Sequence, residues 1–522
     1  MDIKDHYDVV IVGAGVGGGA LARSLAASGC SILMIERGPR LAREPDNWSV
    51  AAVFHQRKYA AKEQWRDRDG NLFAPGTYYY VGGNSKFFGA ATVRFRAQDF
   101  EDLAHEGGVA PAWPVRYGDF EPYYAEAERL MGTHGTAGAD PIEPPRSGPM
   151  PHPAIGHEPE IAEFERKLRA RGLHPFPLPI AIDYHAGGTC LRCRTCDGFA
   201  CQIGAKGDAE VRLVDPALAS GNVTLITETY VRRFVTDPSG RRVTGVEIEQ
   251  AGAVRTIGAD LFVSSAGAIN SSALLLRSAN DKHRRGLGNN SSDQLGRNYM
   301  AHNNTAMMAV APWRKNRVTF QKSMAINDFY LANAERPYPL GNIQGLGKLQ
   351  GGMLTANARW APEWLMSSFA DRSVDWWLMS EDLPDPENRV TVDPDGHIRL
   401  SYTANNLKAH GELVAVWTRH MKALGYPIII TQKMDIKVAM HQCGTARFGT
   451  DPETSVLDPF CRAWDLDNLY VVDASFLPSS TGFNPSLTIV AQALRTAEHI
   501  LERWRRPGRV ASTRDVPAPV SA

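Results

Sequence analysis

The sequence predicts an α/β fold, in which a parallel-strand unit opens the chain and strand-rich segments follow. A β-branched run, Asp8–Val12, leads into the glycine turn Gly13–Gly18 and then into a helical pattern from Ala20 to Ser28. Residues 222–249 alternate apolar and polar side chains around the turn sequence Asp237-Pro-Ser-Gly240, which is typical of antiparallel strands. A second strand-rich zone lies between residues 303 and 401, where Asp393-Pro-Asp-Gly396 marks a hairpin turn. An amphipathic helix is predicted over residues 158–171.

The opening segment has the order strand, glycine turn, helix, strand, acid that is typical of a Rossmann-like unit. Gly13 permits the tight turn, Gly15 lets the backbone approach a pyrophosphate, and Gly18 allows close packing of the helix on the strand. The second strand, residues 31–35, ends on Glu36, which suits the hydroxyls of a ribose. The pattern predicts an adenine dinucleotide and does not choose between FAD and NAD.

The charge balance of the sequence limits the classes of molecule that the chain is expected to bind. The 522 residues carry 57 Lys plus Arg and 57 Asp plus Glu, so the formal net charge is zero. A nucleic acid or an anionic membrane would require a basic excess, so we expect neither as a partner. The charged opening segment runs directly into a strand pattern, with no apolar run long enough to span a bilayer. We therefore expect a cytoplasmic protein, and self-association into a homo-oligomer stays open.

Further short motifs follow in order along the chain: Tyr80-Val-Gly82-Gly83-Asn84-Ser85, Trp113-Pro-Val-Arg-Tyr117, Glu121-Pro-Tyr-Tyr124, Val263–Ser272, Leu295-Gly-Arg-Asn298, His441-Gln-Cys-Gly-Thr445, Leu469–Ser475 and Asn484-Pro-Ser-Leu-Thr488. In this order and spacing they resemble the glucose–methanol–choline (GMC) family of FAD-dependent oxidoreductases. The resemblance is weakest over residues 130–185 and 300–370. It implies FAD in an extended cleft, with an α+β substrate domain on a large antiparallel sheet over the flavin.

The resemblance also implies two interleaved domains. The FAD-binding domain would comprise residues 1–130, 186–300 and 435–506, and the substrate domain residues 131–185 and 301–434. The prolines between residues 141 and 153 fit a long connection near one crossing between them. Residues 507–522, which lack periodicity, are predicted to be a disordered tail.

The FAD site follows from the resemblance, motif by motif. Glu36 would hold the adenosine ribose, the backbone of Val231 would meet adenine, and Asp473 would contact the pyrophosphate–ribityl portion. The residues assigned to FAD are Gly13, Gly15, Gly18, Glu36, Arg37, Gly82, Gly83, Asn84, Ser85, Val231, Ala266, Asp473, Ala474, Asn484, Pro485 and Ser486. Some relatives attach the flavin to a histidine just after the second glycine turn. Lys86, Phe87 and Phe88 stand there in this chain, so we expect noncovalent FAD.

Two residues are assigned to catalysis. Among fifteen histidines, His441 stands in a His-x-x-Gly-Thr motif that resembles the catalytic-base motif of the family. Asn484 occupies the position of the second active-site residue, where an amide can hold a hydroxyl oxygen but cannot be a base. The expected reaction passes a hydride from an alcohol carbon to flavin N5 and the hydroxyl proton to His441, giving a carbonyl. The electron acceptor, O2 or another, stays open, and so does the choice between oxidase and dehydrogenase.

The substrate is expected to be small and neutral: a sugar, a glycoside or another polyol. Aromatic or long-chain alcohols are alternatives, and so are a non-redox lyase that keeps FAD and an iron–sulfur electron-transfer dehydrogenase subunit. Trp360, Trp364, Trp376 and Trp377 lie close together in the sequence. They fit either an aromatic surface for a ring-shaped substrate or ordinary core packing.

Four of the seven cysteines cluster in one stretch, at Cys190, Cys193, Cys196 and Cys201. The C-x2-C-x2-C spacing is typical of iron–sulfur and zinc ligands. Relatives that resemble cholesterol oxidase carry a similar segment, ending like this one in Gly-Ala-Lys206, without needing a cluster. We therefore favour free or partly paired thiols and expect no metal.

Overall fold

The computed structural model describes residues 3–358, 360–438 and 441–505. The tail predicted for residues 507–522 lies outside these ranges. The strands are β1 (His6–Val12), β2 (Ile32–Ile35), β3 (Trp65–Arg66), β4 (Leu72–Phe73), β5 (Leu103–His105), β6 (Gly108–Ala110), β7 (Thr133–Gly135), β8 (His152–Pro153), β9 (Phe176–Pro177), β10 (Ile180–Ala181), β11 (Val223–Ile226), β12 (Thr229–Thr236), β13 (Val243–Gln250), β14 (Ala253–Ser264), β15 (Asn303–Val310), β16 (Met324–Ile326), β17 (Asn342–Gly345), β18 (Ser373–Ser380), β19 (Arg389–Val392), β20 (Ile398–Ser401), β21 (Ile428–Lys433) and β22 (Leu469–Val471).

The α-helices are α1 (Val16–Ala26), α2 (Tyr117–Met131), α3 (Pro159–Arg169), α4 (Asp215–Leu218), α5 (Ala268–Arg277), α6 (Gly351–Asn357), α7 (Glu363–Ala370), α8 (Leu407–Ala423) and α9 (Ser486–Arg505). In the described ranges, no helix has both the length and the apolar character needed to cross a bilayer. The prediction of a helix over residues 158–171 is confirmed by α3.

The first large sheet has the strand order β11-β2-β1-β14-β13-β12, and β22 also pairs with β14. The pairs around β1, β2, β11 and β22 are parallel, whereas β12, β13 and β14 form an antiparallel extension. Residues 9–12 of β1 and all residues of β2 and β22 are buried, so both faces of these strands are covered, as parallel sheets flanked by helices require. This confirms the Rossmann-like opening. Of the antiparallel strands predicted over residues 222–249, β12 and β13 are confirmed, but the prediction is wrong for β11, which extends the parallel part of the sheet by pairing with β2.

The second large sheet is antiparallel throughout, with the order β21-β15-β18-β17-β16-β9. One face packs on α3 and α8, where Trp376, Leu378 and Trp417 share a core cluster. Side chains alternate along a strand, so the neighbours of these residues, such as Trp377, point to the opposite face. The large antiparallel sheet that the motifs imply is therefore present.

Smaller elements connect distant parts of the chain. The turn predicted at residues 393–396 joins β19 to β20, and β20 in turn pairs with β3. Helix α1 begins four residues before the predicted position, Ala20, because Gly17–Gly19 are already helical. Glycine is a poor helix former, but here close packing on neighbouring backbone requires it.

Candidate active site

The first glycine turn is shaped by close backbone contacts at three of its four glycines. Gly13 has φ +104°, which disfavours any side chain there. A Cβ at Gly17 would lie 1.9 Å from the carbonyl oxygen of Val472, and a Cβ at Gly18 would lie 2.2 Å from the carbonyl oxygen of Gly13. A Cβ at Gly15 would instead meet nothing within 4 Å. Open space therefore lies in front of the N-terminus of α1, where backbone N–H groups favour a phosphate.

The second glycine turn faces the first. The backbone N–H of Gly82 donates to the carbonyl of Ala14 at 2.8 Å, and a Cβ at Gly83 would lie 3.6 Å from the Cα of Gly15. Both Gly82 and Gly83 have positive φ, so side chains would be strained there. The two predicted glycine turns thus form opposite sides of one cradle.

The side chains of the second turn hold its shape. Asn84 Oδ1 accepts from the backbone N–H of Tyr78 at 2.9 Å. Ser85 Oγ donates to the carbonyl of Gly82 at 2.6 Å and accepts from the N–H of Ala209 at 2.9 Å. The position after the turn holds Lys86, whose ammonium pairs with Asp208 and Glu210.

Glu36 lies at the predicted adenosine end and is buried. Its Oε2 accepts from the N–H of Ala14 at 3.0 Å, and its Oε1 accepts from the N–H of Gly38 at 2.9 Å. Burial raises the pKa of Glu36, and these backbone donors oppose the rise. Each oxygen keeps a second lone pair that can accept a ribose hydroxyl.

Arg37 lies between two tyrosine rings at the same end. Its guanidinium carbon is 4.0 Å from the ring centroid of Tyr79 and 5.1 Å from that of Tyr230, and it pairs with Glu63. Tyr230 directly precedes Val231, the predicted adenine neighbour. The structure thus brings Glu36, Arg37 and Val231 to one end of the cradle.

Asp473 connects two helix-leading turns. Its carboxylate accepts from the N–H groups of Gly267 at 3.0 Å and Ser475 at 2.8 Å and from the Ser271 hydroxyl. Ser271 Oγ also accepts from the N–H of Ala266. Because its oxygens accept from these protein donors, the Asp473 side chain connects the backbone at Gly267 to the backbone at Ser475.

The predicted catalytic residues lie next to each other. His441 Nε2 is 3.4 Å from Asn484 Nδ2, and both side chains are half-buried, so part of each remains open. Desolvation lowers the pKa of His441 well below its ordinary value, and the nearby His302 and Lys322 lower it further. The ring is neutral at neutral pH and available as a proton acceptor.

The sequence contains a second His-x-x-Gly-Thr, beginning at His185. The side chain of His185 is 47 % exposed, and its Nε2 lies 3.0 Å from Oδ1 of Asp183. The motif alone does not distinguish the two histidines. The contact between His441 and Asn484 does.

Two further residues contact the pair and were missed from the sequence. His302 Nδ1 is 2.8 Å from His441 Nδ1, and Gln344 Nε2 donates to Asn484 Oδ1 at 3.1 Å. His302 follows the Leu295–Asn298 motif and directly precedes β15, a position that could have marked it. Gln344 lies in a short buried strand, and nothing in the surrounding sequence marks it.

The cysteine stretch is held by a lysine. The Lys206 ammonium is buried and donates to the carbonyls of Cys196 at 2.7 Å and Phe199 at 2.6 Å. All four thiols are free, and burial raises the pKa of Cys196 to about 12. Across the described ranges, no three His, Cys, Asp or Glu side chains are placed to hold a metal ion.

The chain matches known proteins over nearly its whole length. Sequence models of the family described as GMC oxidoreductase match residues 7–304 and 388–493. The chain belongs to the GMC oxidoreductase family. It is similar to paromamine 6'-oxidase of Streptomyces fradiae, with 31 % identity over 95 % of this chain and 91 % of that protein.

Two further similarities cover nearly the whole chain. Fructose dehydrogenase large subunit of Gluconobacter japonicus is 27 % identical over 95 % of this chain and 97 % of its own. A solved structure of formate oxidase from Aspergillus oryzae superposes with a TM-score of 0.67 at 18 % identity, covering 96 % of this chain and 99 % of that chain. The predicted family and fold are confirmed.

As a GMC oxidoreductase, the chain is an FAD-dependent enzyme that oxidises alcohol groups. The residues present fit that cofactor. A Cβ at Gly15 would project into the open cradle, and the carboxylate of Glu36 retains acceptor capacity at its adenosine end.

Proposed function

We propose that this enzyme oxidises a hydroxyl group of a small neutral polyhydroxylated substrate to a carbonyl, with His441 as the base and Asn484 holding the hydroxyl oxygen. The observation that carries the proposal is the 3.4 Å separation of His441 Nε2 and Asn484 Nδ2. A substrate hydroxyl in contact with both could donate its proton to His441 Nε2 while its oxygen accepts a hydrogen bond from Asn484 Nδ2.

The roles of the two residues follow from their chemistry. Oxidation of CH–OH to C=O removes a hydride from carbon and a proton from oxygen. FAD, when bound, supplies the hydride acceptor. His441 Nε2 takes the proton, while Asn484, an amide that cannot accept it, donates an N–H to the oxygen.

Trp377 supports a ring-shaped substrate such as a sugar or glycoside. It pairs with Gln344 across adjacent strands and so lies on the same face of the sheet as Gln344, whose amide donates to Asn484. Trp376 points to the opposite face and packs on Trp417 at 4.9 Å. Of the other predicted tryptophans, Trp360 and Trp364 are 86 % and 73 % exposed at the surface.

The half-buried Trp377 is thus the predicted tryptophan best placed to stack on a sugar ring. The relative named for fructose favours the same class of substrate. Aromatic and long-chain alcohols remain the alternatives.

Noncovalent FAD is part of the proposal. The position after the second glycine turn holds Lys86, whose ammonium is occupied by Asp208 and Glu210. Phe87 follows and stacks on Tyr78 at 4.1 Å. Denaturation should therefore release free FAD, and flavin that stays with the precipitated chain would contradict this.

The test of the reaction is flavin bleaching under nitrogen across a panel of sugars, glycosides, polyols, aromatic alcohols and long-chain alcohols. The expected result is bleaching by at least one polyhydroxylated compound. In His441→Ala, bound FAD should be retained and the rate of flavin reduction should fall by about two orders of magnitude or more. Reduction at the wild-type rate in this variant would refute the assignment of the base. A lyase would leave the flavin oxidised with every alcohol.

A further inference from the structure

We propose that His302 is a positioning residue that fixes the tautomer of His441, so that the lone pair of Nε2 faces the substrate. The inference rests on the proposed role of His441 as the base. It concerns which ring nitrogen carries the proton before the reaction, and it assigns a function to a histidine that the motifs did not mark.

The tautomer of His302 is set by its contact with the carbonyl of Ser480. This ring is buried, and its Nε2 lies 2.9 Å from the carbonyl oxygen of Ser480. A carbonyl oxygen can only accept, so Nε2 of His302 carries a hydrogen. Burial lowers the pKa of His302 by more than the Ser480 carbonyl and the Glu381 carboxylate raise it, so the ring is neutral and its Nδ1 is an acceptor.

The tautomer of His302 in turn sets that of His441. The two Nδ1 atoms are 2.8 Å apart, and a hydrogen bond at that distance needs one donor and one acceptor. Because Nδ1 of His302 is the acceptor, Nδ1 of His441 carries the hydrogen. The His441 ring is neutral as well, so its Nε2 is unprotonated and can accept the substrate proton.

The contacts on the other side of His441 agree with this assignment. Gln344 Nε2 donates to Asn484 Oδ1, which leaves the N–H groups of Asn484 to face His441 Nε2. The donors then run in one direction, from Gln344 through Asn484, His441 and His302 to the carbonyl of Ser480. Each contact has one donor and one acceptor, so the groups support one another.

The neutral acceptor also affects the reaction. When Nε2 of His441 takes the proton, the imidazolium still donates from Nδ1 to His302. The positive charge formed on His441 is stabilised only by the dipole of the neutral His302 ring, because Nδ1 of His441 contacts that ring and not a carboxylate. His441 thus remains a weak base that is unprotonated at the start of each turnover.

The test compares His302→Asn with His302→Leu in the FAD-loaded enzyme, using an alcohol that reduces the wild type. The amide oxygen of asparagine can accept from Nδ1 of His441, whereas leucine offers no acceptor. We expect flavin reduction in His302→Leu to fall by about 100-fold or more, and in His302→Asn to stay within about tenfold of wild type. FAD content and thermal midpoint check that each variant is folded.

A second measurement does not depend on either variant folding. Nitrogen-15 NMR of the histidine-labelled wild-type holoenzyme, with the His441 signals assigned from His441→Gln, should show a protonated Nδ1 and an unprotonated Nε2. A protonated Nε2 would overturn the inference, as would two His302 variants that are equally slow or both as fast as wild type. If no alcohol reduces the wild type, the proposed function fails, and the NMR result alone then decides the tautomer.

Discussion

The two ends of the cofactor cradle are built in different ways. The nucleotide end is made mainly from one continuous stretch, residues 13–36. The features available there for binding are backbone N–H groups, the open space at Gly15 and the carboxylate of Glu36. The catalytic end joins His302, Gln344, His441 and Asn484 from four separate segments through side-chain contacts. Binding a phosphate requires a backbone shape, whereas moving a proton requires side chains in a defined orientation.

Substitutions at the two ends are therefore expected to affect different properties, namely stability or FAD binding at the nucleotide end and reaction rate at the catalytic end. At the nucleotide end, the effect depends on whether a new Cβ meets backbone or open space. At the catalytic end, the fold can tolerate changes that remove one donor or acceptor, and the loss should appear in the rate.

The largest effect is expected within the first glycine turn. Gly17→Ala would place a Cβ 1.9 Å from the carbonyl oxygen of Val472, and relieving such a contact should lower the free energy of unfolding by about 3 kcal/mol. Urea denaturation measures this loss. Alanine is otherwise favoured over glycine in a helix by about 1 kcal/mol, so an unchanged or raised stability would contradict the packing described here.

Gly15→Ala is the matched control in the same turn. Its Cβ would meet no protein atom within 4 Å, so the free energy of unfolding of the apoprotein should stay close to wild type. The methyl group enters the space for the pyrophosphate, and FAD binding should weaken by about tenfold. Titration of apoprotein with FAD gives the affinity, and wild-type binding would show that the open space is not the phosphate site.

A smaller effect is expected at Gln344. The change Gln344→Glu keeps the size of the side chain but replaces the N–H that donates to Asn484 Oδ1 with an acceptor. Asn484 would then turn an N–H toward position 344 and away from the substrate. The rate of flavin reduction should fall by about fivefold to tenfold, which corresponds to one hydrogen bond. A wild-type rate with normal FAD content would mean that Asn484 is oriented by other contacts.

The smallest effect concerns pH. The pKa of His441 is lowered by desolvation and by the nearby His302 and Lys322, so the base stays unprotonated as the pH falls through the ordinary histidine pKa of 6.5. Flavin reduction at pH 6.0 should therefore match that at pH 8.0, whereas an ordinary histidine would retain about a quarter of the rate. Stopped-flow reduction across this range decides between them, with the loss of rate expected only below pH 6.

Much of the nucleotide end could be predicted because its constraints are local. The glycine spacing, β1, β2 and Glu36 are close in sequence, and the structure places them as the pattern indicates. The early start of α1 was not predictable, since three helical glycines contradict propensity. That exception arises from packing on Val472 and Leu213, which are distant in sequence.

The catalytic end was predictable only in part. Motif resemblance selected His441 and Asn484, and the structure brings them together. It could not select His302 or Gln344, because each acts through a contact with a residue more than a hundred positions away. Nor could spacing separate His441 from His185, which has the same local motif and lies at the surface.

The motifs of the sequence alone predict the family, the FAD-binding opening, the large antiparallel sheet and the pair to be tested, His441 and Asn484. The folded chain was needed to show that His302 and Gln344 contact this pair, that Trp377 shares a sheet face with Gln344, and what holds each ring and amide in orientation. The two kinds of feature depend on contacts over different separations along the sequence. Backbone turns are set by neighbouring residues, whereas the orientation of a hydrogen bond depends on every donor and acceptor that the fold brings within about 3 Å.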